Sequence, residues 1–300
     1  MSWNVIDKPR DSDTHTIADF FEILCLTSID KEISLDDMED CLSDYSYNHI
    51  MNEDRKYDIA QQIKWRAEAF SNSYAFEQDR NSIKLSTDLS PDKKIYLFLL
   101  LSANLPFITK PNQNIYAESF EDLSLLSLIN MTGSKAENKR FAKNNNDFIG
   151  TKAQRFNNLF NKIGSIGHCD EEHFRNRDSG DGGIDLVSWY EADEYENGNV
   201  MSILAQCACS RSEWSKKQSE VSYDSISNLA QNTNRWNSML FTPICFRDNF
   251  GRWFIKSATH NNILFDRLRI INFLNPDDFN NFSFPSNFES MLVYSRDTTE

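Results

Sequence analysis

Glycine is scarce in this chain, nine in 300 residues, so the adjacent pair Gly182 and Gly183 constrains the fold more than any other feature. The pair opens the strand-like part of "GDGGIDLVSW", residues 180–189. Two successive residues without Cβ let the backbone turn sharply and pass close to a neighbour. The residues that follow alternate as a strand does, with Asp185 facing away from Ile184 and Leu186. An acidic hairpin, from about Tyr190 to Asn199, leads into "ILAQCACS", residues 203–210, the expected partner strand. On it Gln206 and Ala208 share one face, and Cys207 and Cys209 the other.

The N-terminal half reads as helical. "THTIADFFEILCLTS" puts Ile17, Phe20, Phe21, Ile23 and Leu24 on a helical face. Ser34 followed by Asp37 is close to a capping box, and residues 52–73 form a longer charged helix. Ser90 caps and Pro91 opens an almost wholly apolar run, the pattern of a central buried helix. "ESFEDLSLLSLINMTG" is a further amphipathic helix that Gly133 stops. Residues 136–150 then turn polar and asparagine-rich, which predicts a helical region over 1–135 and an α/β domain over 136–300. In the latter, "TKAQRFNNLFNKIG" carries Phe156, Leu159, Phe160 and Ile163 on one side. A polar helix is expected from roughly Ser212 to Trp236, with strands at "SMLFTPICF" and "RWFIKSA". The fold class is thus α+β, a helical N-terminal region before an α/β core with a mixed central sheet.

A net charge of −14 argues against broad, non-specific adhesion to nucleic acid but leaves room for a local basic groove. The leading residues are polar, and the apolar run over 95–105 is too short to span a bilayer. The six cysteines show no CxxC spacing. These features predict a cytoplasmic chain with reduced thiols and no membrane partner. His168, Cys169, His173, Cys207 and Cys209 lack the spacing of a zinc finger or ribbon and read as core residues.

An acid on one strand beside a glutamine on the next suits a divalent ion. Mg²⁺ (or Mn²⁺) takes hard oxygen ligands and keeps several waters, so one or two carboxylates suffice. The ion polarises a phosphoryl oxygen and acidifies a bound water, and a nearby lysine steadies the developing charge. Asp185 and Gln206 are the candidate metal ligands. Asp181 reads equally as a turn residue or a second ligand. Arg267 and Arg269, two apart in "FDRLRI", would share a face of an extended segment, there to bind phosphate or to pair with Asp266 and other acids.

"GDGGIDLV" followed by "ILAQCA" resembles the PD-(D/E)xK restriction-endonuclease-like superfamily, in its Mrr-like branch. More narrowly, "RF…GDGGIDLV…QCA…W…K…DRLR" is similar to bacterial nuclease-like proteins of anti-phage defence loci. The core of the resemblance covers residues 151–217. It implies a restriction-endonuclease-like core, Mg²⁺-dependent endonuclease activity on DNA, and an ATPase or helicase of the same defence system as protein partner. The chain departs from the pattern at two places. The strand lysine would stand at Ala208, and the first-helix glutamate at Asn157, with Glu171 and Glu172 nearby in sequence. The resemblance implies that the lysine can move to the next helix, where Trp214 is followed by Lys216 and Lys217. Lys217, three residues from Trp214 and so its neighbour on a helix surface, fits better than Lys216. The expected catalytic set is therefore Asp185, Gln206 and Lys217, with Asp181, Glu172 and Lys216 as additional candidates and Arg267 and Arg269 on nucleic acid. The alternative is a catalytically degenerate nuclease fold that binds DNA or serves assembly.

Overall fold

The computed structural model describes residues 2–6, 9, 13–43, 51–141, 146–174, 182–195, 198–211, 214–259 and 262–295. The chain forms two compact units. One comprises Met1–Ser119, Pro243–Ile255 and Pro276–Glu300, the other Phe120–Thr242 and Lys256–Asn275. Composition places the division at 135/136, compactness at 119/120. Residues 136–140, polar as they are, are recruited to a sheet edge, where half-exposed polar side chains are tolerated.

In the first unit, α1 (Thr14–Thr27) is buried along nearly its whole length. It is followed by β1 (Glu32–Ser34) and α2 (Leu35–Ser43). Ser34 and Asp37 exchange side-chain-to-backbone bonds of 3.1 and 2.9 Å, which closes the start of α2. Asn52 caps α3 (Glu53–Phe70) by accepting from the Arg55 amide at 2.9 Å. The strands β2 (Phe76–Asp79) and β3 (Ser82–Leu85) join β1 in an antiparallel sheet of order β1-β3-β2. α4 (Pro91–Ser102) is the buried helix expected from its apolar run, with Ile95 to Ser102 out of solvent.

α5 (Lys110–Thr132) ends where Gly133 takes a φ of 77°. The second unit is built on a five-stranded mixed sheet of order β10-β9-β7-β6-β4. β4 (Ala136–Arg140) pairs antiparallel with β6 (Leu186–Tyr190), and β6 antiparallel with β7 (Ser202–Cys207). β9 (Asn237–Phe241) and β10 (Ile263–Phe265) extend the sheet in parallel with β7. α6 (Lys152–Lys162) is held at its start by a complete Thr151/Gln154 capping box. It packs Phe156, Leu159 and Phe160 onto Val187, Trp189 and Leu204 of the sheet. A small pair, β5 (Ile166–Gly167) with β8 (Ala230–Gln231), lies beside it.

The polar stretch after β7 departs from expectation. It is not one helix but two short ones, α7 (Trp214–Lys217) and α8 (Tyr223–Ile226), followed by a 3-10 turn and β8. Serine hydroxyls explain the break. Ser219 Oγ donates to the Lys216 carbonyl and Ser222 Oγ to the Ser219 carbonyl, both at 2.8 Å, in competition with the helix ladder. "RWFIKSA" is likewise not a strand. Trp253 makes a single bridge to Arg247 around a turn at Gly251, and Lys256–Thr259 is a 3-10 helix. The segment after β10 winds into α9 (Arg267–Asn272). α10 (Pro276–Asn281) and α11 (Phe288–Val293) complete the first unit.

Candidate functional site

Gly182 and Gly183 have φ values of 59° and 86°, in the left-handed region that favours glycine. Each also lacks room for a side chain. A Cβ on Gly182 would stand 2.6 Å from the Phe156 ring, and one on Gly183 2.7 Å from Glu220 Oε2. The neighbours that the glycine pair passes so closely are thus Phe156 and the Gln206–Glu220 pair.

Beyond the turn, the Asp185 amide donates to the Ala205 carbonyl at 2.9 Å, and its carbonyl accepts from the Phe141 amide at 2.8 Å. The Asp185 carboxylate accepts from the Cys207 amide at 2.7 Å. These bonds to the residues either side of Gln206 set Asp185 directly across from it. Gln206 is buried, and its Nε2 donates to Glu220 Oε2 at 2.6 Å. Its Oε1 is buried with no donor among the described residues. The structure therefore brings Asp185 and Gln206 side by side and adds Glu220, which the sequence reading misses. Its approach depends on the turn after α7, and only its place three residues beyond Lys217 hints at it.

No family model, curated protein or solved structure matches the chain.

Cys207 leaves the end of β7 on the face opposite Gln206, and Cys209 follows two residues beyond the strand. Burial pushes the Cys207 thiol well up, and the Asp185 and Glu121 carboxylates push it further, opposed by a hydrogen bond with Ser124. The Cys209 thiol is raised by burial, then by Glu121 and Asp185, while the Lys217 ammonium pulls it down. Glu121, from α5, is a second carboxylate that the sequence reading misses. It pairs with Arg140 of β4, which also holds Asp122 at 2.7 Å. Its signal is a charge set between Phe120 and Leu123, two residues of α5 with no solvent exposure.

Ala208, where a strand lysine would stand, is fully buried, and its amide donates to Phe241 at 2.9 Å. Asn157 exchanges bonds with the Cys169 backbone at 2.9 and 3.2 Å and so ties a loop to α6. Lys216 is exposed, as is Glu172 on the 3-10 turn Glu171–His173. Asp181 lies outside the described residues. Arg267 and Arg269 need correction, because their segment is helical rather than extended. Arg267 is fully buried, and Arg269 Nη1 donates to the Leu264 carbonyl at 2.8 Å. A guanidinium out of solvent contact does not meet a phosphate, so Arg267 serves the interior of its unit.

Among the described residues no three His, Cys, Asp or Glu side chains converge so as to hold a metal ion. The donors at the strand ends are nonetheless hard oxygens, namely the Asp185 and Glu220 carboxylates and the unpartnered Gln206 Oε1. That chemistry fits Mg²⁺ or Mn²⁺, which need one or two carboxylates and complete their shells with water. No described helix is long and apolar enough to cross a membrane.

Proposed function

We propose that the chain is a metal-dependent nuclease subunit hydrolysing DNA phosphodiester bonds. The observation that carries the reading is the placing of the Asp185 carboxylate and the Gln206–Glu220 pair together at the end of β7. Asp185, Gln206 and Glu220 would hold Mg²⁺ or Mn²⁺. When bound, the ion would polarise a phosphoryl oxygen and acidify an attacking water. The protein's own part is positional. The Cys207 amide fixes the Asp185 carboxylate, and Glu220 fixes the Gln206 amide so that its oxygen is left to accept. Lys217 supplies positive charge for the phosphorane-like transition state. The resemblance to PD-(D/E)xK nucleases supports this reading. It extends it to a restriction-endonuclease-like core, a bacterial anti-phage defence system, a cytoplasmic setting, and an ATPase or helicase partner.

The test is cleavage of single- and double-stranded DNA, and of RNA, with Mg²⁺ or Mn²⁺, by the wild type and Asp185→Ala. The variant is expected to lose cleavage by a factor on the order of 100 or more. A second reading, a degenerate nuclease fold that binds DNA or serves assembly, is favoured by two observations. Ala208 is buried where a lysine would act, and Asn157, at the place of the first-helix acid, is spent on the Cys169 backbone. Absence of any metal-dependent cleavage, with DNA binding intact in Asp185→Ala, would decide for it.

A further inference from the structure

A cavity of about 870 Å³ lies on the second unit between α7, α8 and the start of β9. The nuclease reading does not use it. Its lining includes Gln218, Tyr223, Arg235, Trp236, Ser238 and Asn262. Two features point to a ligand. The first is a surplus of acceptors. Gln218, only 8% exposed, donates through Nε2 to the Ala258 carbonyl at 2.7 Å, and Asn262 donates through Nδ2 to the Gln218 carbonyl at 2.5 Å. With their amide nitrogens engaged, Gln218 Oε1 and Asn262 Oδ1 are both buried without a donor among the described residues. Ser238 donates its hydroxyl hydrogen to the Val221 carbonyl at 2.9 Å, so it too can only accept. Buried acceptors left unbonded are costly, and a molecule rich in N–H groups relieves them.

The second feature is a stacked platform at the rim. The Arg235 guanidinium lies 4.6 Å from the Tyr223 ring centre, and Tyr223 lies 4.7 Å from the Trp236 ring. Trp236 is fixed in turn by a 3.1 Å bond from its Nε1 to the Val221 carbonyl. Arg235 keeps 74% of its side-chain surface exposed, so the outer face of its guanidinium is open. Planar bases stack on arginine faces and on aromatic rings.

We infer that this cavity is a nucleobase site selective for bases with an exocyclic amine, the base stacking on Arg235 and its amine meeting the Gln218 and Asn262 oxygens. Lys217 and Gln218 are consecutive residues of one short helical segment. Lys217 acts on Cys209 at the strand end, and Gln218 lines the cavity. Insofar as the proposal places the base on a strand being cleaved, it rests on the nuclease reading. A free nucleotide carries the same chemistry.

The test is titration of the full chain, without metal, with AMP, CMP and UMP, followed by tryptophan fluorescence and calorimetry. AMP and CMP are expected to saturate the protein, with UMP roughly five-fold weaker or more because it offers no exocyclic amine. Arg235→Ala, at an exposed position, should weaken AMP about ten-fold with an unchanged melting temperature, and Arg235→Lys should not restore it. Absence of saturable AMP or CMP binding, equal binding of UMP, or undiminished binding by Arg235→Ala overturns the proposal. Asp185→Asn should bind AMP as the wild type does, so failure of cleavage and failure of this site are read separately. Tighter binding of an oligodeoxyadenylate than of AMP places the base on a strand. Equal binding makes the ligand a free nucleotide and detaches the cavity from the nuclease reading.

Discussion

The acidity of Cys209 gauges the charge around the end of β7. Its thiol is held up by burial and by the Glu121 and Asp185 carboxylates, and drawn down by Lys217. Only the thiolate reacts with alkylating reagents. Cys209 should therefore be alkylated slowly at pH 8 in the native protein and quickly after unfolding. Asp185→Asn removes a negative charge but keeps an acceptor for the Cys207 amide, so the thiol becomes more acidic and labelling accelerates. Lys217→Met removes the opposing charge, so the thiol becomes weaker and labelling slows. Each pKa unit changes the thiolate fraction about ten-fold. Site-resolved mass spectrometry of iodoacetamide adducts reads both signs, and a Lys217→Met variant labelled at the wild-type rate would place the amine out of reach. Asp185 and Gln206 were legible in the sequence because strand alternation and a flanking glycine pair are local. Glu220 and Glu121 were not, because each reaches the site through a turn or a helix whose approach no local pattern encodes.

At the scale of elements, helices with strong local signals were legible: Pro91 opening α4, Gly133 closing α5, and the apolar face of α6. The misread elements are those where two local signals compete. Asp266 accepts from the Arg269 amide at 3.2 Å and caps α9, a start signal that the two-residue spacing of the arginines obscures. The serines after Trp214 bond back to the main chain and divide an expected long helix. α6 tests how much one cap contributes. Thr151 Oγ1 accepts from the Gln154 amide at 3.3 Å, and Gln154 Oε1 accepts in return from the Thr151 amide at 3.0 Å. Thr151→Ala should destabilise the second unit by about 1 kcal/mol, measured as a shift of the urea midpoint with unchanged slope.

At the scale of the whole molecule, the first unit is organised around a buried charge network. Arg66, without solvent exposure, reaches Asp19 at 2.7 Å and Glu22 at 2.9 Å, and its Nη2 donates to the His15 carbonyl at 2.9 Å. Tyr74 and Tyr96 donate to Glu22 at 3.0 and 2.9 Å. Arg66→Met would leave two buried carboxylates without their cation, so a loss of about 3–5 kcal/mol is expected in equilibrium unfolding of the full chain. A loss below about 1 kcal/mol would mean that the network contributes specificity rather than stability. The second unit carries a different safeguard. Its sheet ends on one side at β10, only three residues long, and on the other at β4, whose Glu137, Lys139 and Arg140 are all engaged in ion pairs. Short and charged margins are poor templates for a foreign strand. The polar run that marks a boundary in the sequence thus gives the sheet a margin ill-suited to edge-to-edge polymerisation.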